Sequence, residues 1–170
     1  QENSTATSMT LVQELAKRIL EFDSRQLTPR AILQAKASIL DTIGVTLAGY
    51  QEPCTKILLR TPGVATAPGP ALIFGSSHRT SVLDAALING TASHALDFDD
   101  FSGVMGGHQS VPLVSMLIAL AEERGGSAID LIAAYVMGVE VQIRFARAVN
   151  FHHYDKGWHP TSTLGVFGAT

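Results

Sequence analysis

Two short segments of the sequence concentrate the side chains that could do chemistry. The first, residues 85–110, contains His94 and His108 together with the acidic run Asp97-Phe98-Asp99-Asp100. The second, residues 151–159, contains three further histidines and a lysine. Histidines beside carboxylates suit either proton transfer or the binding of a cation. The sequence therefore raises the question of whether the two segments meet in one site.

The acidic run has more than one interpretation. Aspartates are common turn residues, so the run is typical of a solvated loop. Carboxylates this close also need a cation or N–H groups nearby, which suggests a divalent metal or Mg–diphosphate site. Such a site usually has a second acidic cluster and basic phosphate contacts, and the sequence contains neither. His94 lies one helical turn before Asp97. It is either a base that this acid orients or a buried histidine whose hydrogen bonding this acid satisfies.

His108 and His159 each lie just before a predicted helix start. Unpaired backbone N–H groups and the helix dipole favour an anion there. We therefore expect a substrate carboxylate to dock beside His108 and His159, which would move a proton. Ser110 and Thr161, at the two helix starts, and Lys156 are the candidate substrate-binding residues. The alternative for each histidine is an exposed loop position, and we expect this for the remaining pair, His152 and His153.

Helices must position these residues. Asn89-Gly90 is a strong hairpin signal, but neither flank alternates in polarity, so we prefer a helix there. Pro and Gly content predicts a loop over residues 61–70, followed by a short strand over 71–74. The predicted fold class is therefore mostly α. Capping residues and apolar spacing predict helices over 11–22, 29–48, 53–59, 82–96, from a Ser110 cap to 124, from a Ser127 cap to 149, and, after a 150–160 loop, from 161 onward.

Composition narrows the class of protein. The chain has 170 residues, 46% of them hydrophobic, which is enough for one domain with a core. A net charge of −3 without basic blocks argues against nucleic acid as a partner. The single cysteine, Cys54, excludes an internal disulfide and fits a reducing, cytoplasmic location. Short apolar runs predict no membrane span. We expect residues 1–9 to be disordered or tag-like.

Long stretches of the sequence resemble one known family. The run Ala86–Asp100, ALINGTASHALDFDD, resembles the signature of the MmgE/PrpD family. The similarity continues through His108-Gln109-Ser110 and then through residues 121–125, 138–140 and 157–161. It covers most of the chain from about Thr28 onward.

The resemblance implies a fold and a reaction class. The family includes 2-methylcitrate dehydratases, cis-aconitate decarboxylases and iminodisuccinate epimerases. Its members have a large helical domain and a smaller α+β lid, are usually homodimers, and use no metal or other cofactor. On this basis the chain is the N-terminal portion of the helical domain. The lid and the later catalytic lysine and tyrosine are missing from it, so we expect these 170 residues alone to be inactive.

Individual positions can be carried over from the resemblance. Asp97, His108 and His159 match active-site positions of the decarboxylase-like members. Phe101 stands where those members have Thr, and Gln109 replaces the Pro of their His-Pro-Ser motif. The segments 101–107 and 157–170 look more like iminodisuccinate epimerase, which argues against decarboxylation. The resemblance leaves His94, Asp99 and Asp100 as scaffolding.

The expected chemistry is proton transfer at a carbon next to a carboxylate, on a small di- or tricarboxylate. Loss of a hydroxyl would make the enzyme a dehydratase, and return of the proton to the opposite face would make it an epimerase. His108 and His159 would act as acid, base or carboxylate-binding groups, and Asp97 would orient a histidine or hold substrate. One alternative is a non-catalytic helical interaction module. The other is a metal-dependent enzyme that uses Asp97, Asp99, Asp100 and His94.

Overall fold

A computed structural model describes residues 9–170. Helices dominate this range, which confirms the predicted mostly-α class. The expectation for the first nine residues falls almost wholly on residues 1–8, outside the described range. A 3₁₀ turn, Ser24–Gln26, follows the first helix. In chain order the elements are α1 (Leu11–Leu20), α2 (Pro29–Gly49), α3 (Pro53–Arg60), β1 (Ala71–Leu72), β2 (Arg79–Thr80), α4 (Val82–His94), α5 (Ser110–Arg124), α6 (Ala128–Val149), α7 (His152–Asp155), α8 (Pro160–Thr163) and α9 (Gly165–Ala169).

Most helix boundaries follow local capping chemistry. Thr10 forms a capping box at the start of α1, and Ser127 forms another at the start of α6. Thr28 caps α2, whose first residue is a proline. Gly125 ends α5 with a φ of +73°, the left-handed conformation that glycine adopts without strain. The hairpin alternative at residues 89–90 is wrong, since both residues lie inside α4.

Four features of the elements differ from the sequence prediction. Ser110 is not a helix cap but the first residue of α5, because its hydroxyl binds Asp100 instead of a helix N–H. Helix α4 ends at His94 and not at residue 96, because Asp97 turns the chain with a φ of +55°. The expected 150–160 loop contains the short helix α7. The predicted strand over 71–74 is reduced to β1, which pairs antiparallel with β2.

Helix α5 lies at the centre of the domain. It packs against α2, α4, α6 and α9, and β1 lies against it as well. A buried cluster joins α2, α5 and α6, a second joins β1, α4 and α5, and a third joins the segment before α5 to α6 and to the residue between α8 and α9. Their buried members are, respectively, Ala35, Leu113, Val114, Ile132 and Tyr135; Ala71, Ala85 and Ala119; and Met105, Ala146 and Leu164.

Helix α2 also has the length and composition of a membrane span. Its best 18-residue window has a mean hydropathy of 1.3, although the sequence prediction found no such segment. Gln34, Lys36 and Asp41 are among the residues that interrupt its apolar runs, so the average passes where an uninterrupted run does not. Helix α2 packs against α4, α5 and α6, and 17% of that window is buried; one helix of this kind is weak evidence for a membrane span.

A buried polar chain connects α5 to α6. The Tyr135 hydroxyl lies 2.6 Å from Ser110 Oγ, which lies 2.6 Å from Asp100 Oδ2. A carboxylate only accepts, so Ser110 donates to Asp100 and Tyr135 donates to Ser110. Burial raises the pKa of the Tyr135 phenol above its usual 10.0, against the opposing effects of its hydrogen bonds with Ser110 and Ser38; the negative charge of Asp100 adds to the increase.

We expect Gly49→Ala to destabilise the domain. Helices α2 and α4 approach so closely that a Cβ on Gly49 would lie 1.9 Å from the Ala92 carbonyl oxygen. Relieving this overlap should cost at least about 1–3 kcal/mol of unfolding free energy. Gly44→Ala, in the same helix with nothing within 4 Å of its added Cβ, is the matched control and should stabilise by about 0.5–1 kcal/mol. Urea denaturation compares the two, and equal effects would contradict this packing.

We expect Tyr135 to titrate above the range of an exposed tyrosine. The phenol stays neutral in the folded state at a pH where the unfolded chain already ionises it. The unfolding free energy is therefore unaffected below a pH of about 10 and falls as the pH rises toward the folded pKa. Absorbance at 295 nm, compared between wild type and Tyr135→Phe, isolates this titration. A difference spectrum that appears at the usual tyrosine pH would contradict the effect of burial.

Candidate active site

The turn after α4 exposes one of the acidic residues to solvent and buries another. The backbone N–H of Asp97 donates to the His94 carbonyl at 3.3 Å, and Asp97 adopts the left-handed conformation that Asp tolerates better than most residues. The Asp97 side chain is 80% exposed, whereas that of Asp99 is completely buried. The run is therefore not uniformly the solvated loop of the first interpretation.

The buried Asp99 carboxylate lies between two histidines. Its Oδ2 atom is 2.9 Å from His94 Nδ1 and 3.1 Å from His108 Nδ1. The two imidazole rings meet edge to face, with their centroids 4.8 Å apart. Asp99 and His94 therefore touch a predicted catalytic residue directly.

Oxygen atoms surround His108 on both sides of its ring. Nδ1 is 3.1 Å from the Asp99 backbone carbonyl as well as from the carboxylate, and Nε2 is 3.3 Å from Asp97 Oδ1. Carbonyl and carboxylate oxygens only accept hydrogen bonds. A neutral ring can donate to one side alone, whereas an imidazolium donates to both. The arrangement thus suits a proton held between His108 and Asp97.

The start of α8 brings the second histidine segment to the first. The backbone N–H of His108 donates to Thr161 Oγ1 at 2.9 Å. A Cβ on Gly107 would lie 2.9 Å from the Thr161 nitrogen, so glycine permits the close approach. His159, which directly precedes α8, consequently lies with its ring centroid 5.8 Å from that of His94. The two segments form one site.

An open cleft of about 360 Å³ lies at this junction. Asp97, His108 and His159, the three predicted catalytic residues, all line it. Aromatic rings from the flanking segments form much of the remaining wall, and the rings of Phe101 and His108 meet edge to face with their centroids 5.5 Å apart. The other lining residues are Gly106, Gly107, Phe151 and Tyr154.

The three predicted substrate-binding residues lie elsewhere among the described residues. Ser110 is fully buried, and its hydroxyl is occupied by Asp100 and Tyr135. Thr161 holds the His108 backbone and lines a separate, largely apolar groove of about 610 Å³. Lys156 is exposed, and it is not among the residues that line the cleft. Their substrate contacts stay predictions.

The chain's own Asp100 occupies the N-terminus of α5. Its Oδ1 accepts from the Ser110 backbone N–H at 3.3 Å, and its Oδ2 accepts from Gln109 Nε2 at 2.8 Å. An internal carboxylate therefore already contacts this helix start, and the docking of a substrate carboxylate there stays a prediction. Helix α8 has only four residues, too short to build a comparable dipole.

Several residues of the site were not singled out from the sequence. Phe151 and Tyr154 line the cleft, and their only signal was their position inside the second histidine segment. His153 was expected at a loop surface, but its Nε2 lies 2.7 Å from Thr163 Oγ1. This contact fastens α7 to α8. His152 is exposed, as expected.

The same cluster offers ligands for a cation. His94, Asp97, Asp99 and His108 each contribute one potential ligand atom, all within 4.8 Å of one another. Asp100, which the metal alternative included, instead binds α5. The histidine and carboxylate atoms already lie within hydrogen-bonding or ion-pair distance of each other, so the four residues also satisfy one another without an ion.

Comparison with known proteins identifies the family. Residues 13–170 match the model of the MmgE/PrpD N-terminal domain. Cis-aconitate decarboxylase of Homo sapiens is 32% identical over 151 residues, covering 84% of this chain and 31% of that protein. The Mus musculus enzyme of the same name is 29% identical over 149 residues, covering 84% and 30%. Cis-aconitate decarboxylase-like protein oryM of Aspergillus oryzae is 24% identical over 160 residues, covering 89% and 33%.

The chain spans about a third of the length of these curated relatives. The family match covers nearly all of the described residues, including both histidine segments and the cleft between them. The two mammalian relatives are decarboxylases by name, and a decarboxylase is a lyase. The chain belongs to the MmgE/PrpD family.

Proposed function

We propose that this chain carries part of a metal-free site that moves a proton at the carbon next to a carboxylate, on a small di- or tricarboxylate. The observation that supports this most is the placement of His108, whose two ring nitrogens both face oxygen acceptors at the wall of an open cleft. A histidine so placed can hold a proton and release it through Nε2, toward Asp97 and the cleft.

The chemistry explains why several groups are needed. A C–H bond next to an ionised carboxylate is only weakly acidic, so the site must offer a base and must stabilise the negative charge that develops. His108 and His159 lie on the wall of the same cleft and serve as acid, base or carboxylate-binding groups. The exposed Asp97 carboxylate orients His108 or contacts the substrate.

The outcome of the proton transfer defines the reaction. Departure of a hydroxyl gives a 2-methylcitrate dehydratase-like lyase, and return of the proton to the opposite face gives an iminodisuccinate epimerase-like enzyme. The relatives are decarboxylases by name, and loss of CO₂ also leaves a carbon that must take up a proton. Phe101 gives the cleft an aromatic wall beside His108. The decarboxylase-like members of the family have Thr at this position, and so a hydroxyl. We therefore propose dehydration or epimerisation.

The homodimer, the cytoplasmic location, and the lack of nucleic-acid or membrane partners stay predictions.

Substitution of the cleft histidines tests the proposal. In the complete gene product, His108→Gln and His159→Gln should each lower kcat by about 10²–10⁴-fold, the usual range for loss of a proton-transfer group. The assay panel contains 2-methylcitrate, citrate, cis-aconitate and iminodisuccinate. His152→Gln is the matched control, since this histidine is exposed and does not line the cleft.

The control should retain wild-type turnover of whichever substrate is accepted. Unchanged turnover of that substrate by both cleft variants would remove the site assignment. The absence of turnover of any panel member by the wild type would favour the alternative of a non-catalytic interaction module.

Chelation separates proton transfer from metal catalysis. Because the four candidate ligands satisfy one another through hydrogen bonds and ion pairs, we expect dialysis against EDTA to leave kcat and KM unchanged. Mock dialysis without chelator is the control. Loss of activity that a divalent cation restores would contradict the metal-free proposal and would assign His94, Asp97, Asp99 and His108 as ligands.

A further inference from the structure

We propose that Asp99 is a positioning residue that fixes the Nδ1–H tautomers of His94 and His108 and thereby presents Nε2 of His108 to the cleft. The inference rests on the proposed function only for its catalytic consequence. Its structural part, the location of the ring protons, can be tested without any substrate.

Asp99 supplies every acceptor that residues 9–170 place beside Nδ1 of the His94 and His108 rings. The Asp99 Oδ2 atom lies 2.9 Å from His94 Nδ1 and 3.1 Å from His108 Nδ1, and the Asp99 carbonyl oxygen lies 3.1 Å from the latter. An ionised carboxylate and a backbone carbonyl accept but do not donate. His94 Nδ1 therefore carries a proton. At His108 the two Asp99 oxygens at 3.1 Å from Nδ1 outweigh the single exposed Asp97 oxygen at 3.3 Å from Nε2, so a neutral ring carries its proton on Nδ1 and keeps its lone pair on Nε2.

The burial of Asp99 indicates a role beyond packing. Its side chain has no exposure, and its Oδ1 atom has no hydrogen-bond partner among residues 9–170. A buried carboxylate oxygen without a hydrogen-bond partner is destabilising, and an apolar side chain of the same shape would avoid this cost. The structure keeps the charge where both histidines contact it.

The neighbouring aspartates do not share this role. Asp97 meets His108 at the opposite nitrogen, Nε2, and its side chain is exposed. Asp100 binds Ser110 and Gln109 at the start of α5, and the structure shows no contact between its carboxylate and a histidine within the described residues. The three aspartates of residues 97–100 therefore have three different roles. This difference supplies a matched control for the test.

The catalytic consequence follows from geometry. Nε2 of His108 faces Asp97 and the cleft only while Nδ1 is held on the other side by Asp99. Loss of the carboxylate leaves the backbone carbonyl as the one acceptor at His108 Nδ1, and it removes the one acceptor that residues 9–170 place at His94 Nδ1. A reacting group displaced by about 1 Å can lose about 10² in rate.

The test is nitrogen-15 NMR of the histidine rings in this chain, recorded as each ring becomes neutral. In the wild type, two-bond proton–nitrogen correlations should show Nδ1–H for both His94 and His108. Asp99→Leu keeps the shape of the side chain and removes both carboxylate acceptors. It should abolish the Nδ1–H preference of His94, whereas His108 keeps its backbone acceptor and its tautomer.

Two further variants control the result. Asp99→Asn retains one acceptor oxygen and should restore Nδ1–H on His94. Asp100→Asn should leave both tautomers as in the wild type. An Nε2–H tautomer of His94 in the wild type would overturn the proposal without any variant, so it stays testable if Asp99→Leu fails to fold. Retention of Nδ1–H on His94 in a folded Asp99→Leu protein would also overturn it.

Activity separates this inference from the proposed function. In the complete gene product, Asp99→Leu should lower kcat about 10²-fold with a smaller change in KM, and Asp99→Asn should recover part of the loss. If the tautomers follow the expectation while His108→Gln turns over substrate normally, the proposed function fails and the positioning geometry stands. If His108→Gln is impaired but Asp99→Leu is not, the positioning role fails and the proposed function stands.

Discussion

The contact between the segment before α5 and the first turn of α8 is the constraint on which the site depends. The His108 N–H binds the Thr161 hydroxyl, and the lack of a side chain on Gly107 lets the two backbones approach. Without this contact His159 would not lie beside His94 and His108. The rest of the fold supports this contact. Helix α5 packs between α4 and α6 and so holds in place the ends of those two helices, beside which the two histidine segments lie.

The site contains two departures from ordinary folding chemistry. Asp97 holds a left-handed backbone conformation, and Asp99 is a buried charge with an unpaired oxygen. Proteins usually keep such costs only where function requires them. Here the costs have a shared result, since they direct two histidine rings and one carboxylate toward a single cleft.

Sequence reasoning succeeded where structure is decided within a few residues. Thr10, Ser127 and Gly125 act on neighbours three or four positions away, so their caps could be predicted with the helices they bound. The family resemblance then placed Asp97, His108 and His159 together, and all three line the cleft.

The errors arose where distant parts of the chain compete for one group. Ser110 has the right residue type for a cap, but Tyr135, 25 residues later, and Asp100 take its hydroxyl. Asp99 looked like scaffolding because its neighbours in the sequence are also acidic. Only the turn at Asp97 shows that Asp99 faces inward while its neighbours face solvent and α5. No local pattern reports these tertiary contacts.

The central claim is that the cleft transfers a proton at the carbon next to a carboxylate. The most direct test is incubation of the complete gene product in H₂O with a substrate that carries deuterium at that carbon, followed by NMR of the recovered substrate and product. The account predicts that the wild type removes the deuterium from that carbon, whether a double bond forms or the configuration inverts, and that His108→Gln removes it at least about 10²-fold more slowly. Turnover by the wild type with the deuterium retained at that carbon would contradict the account.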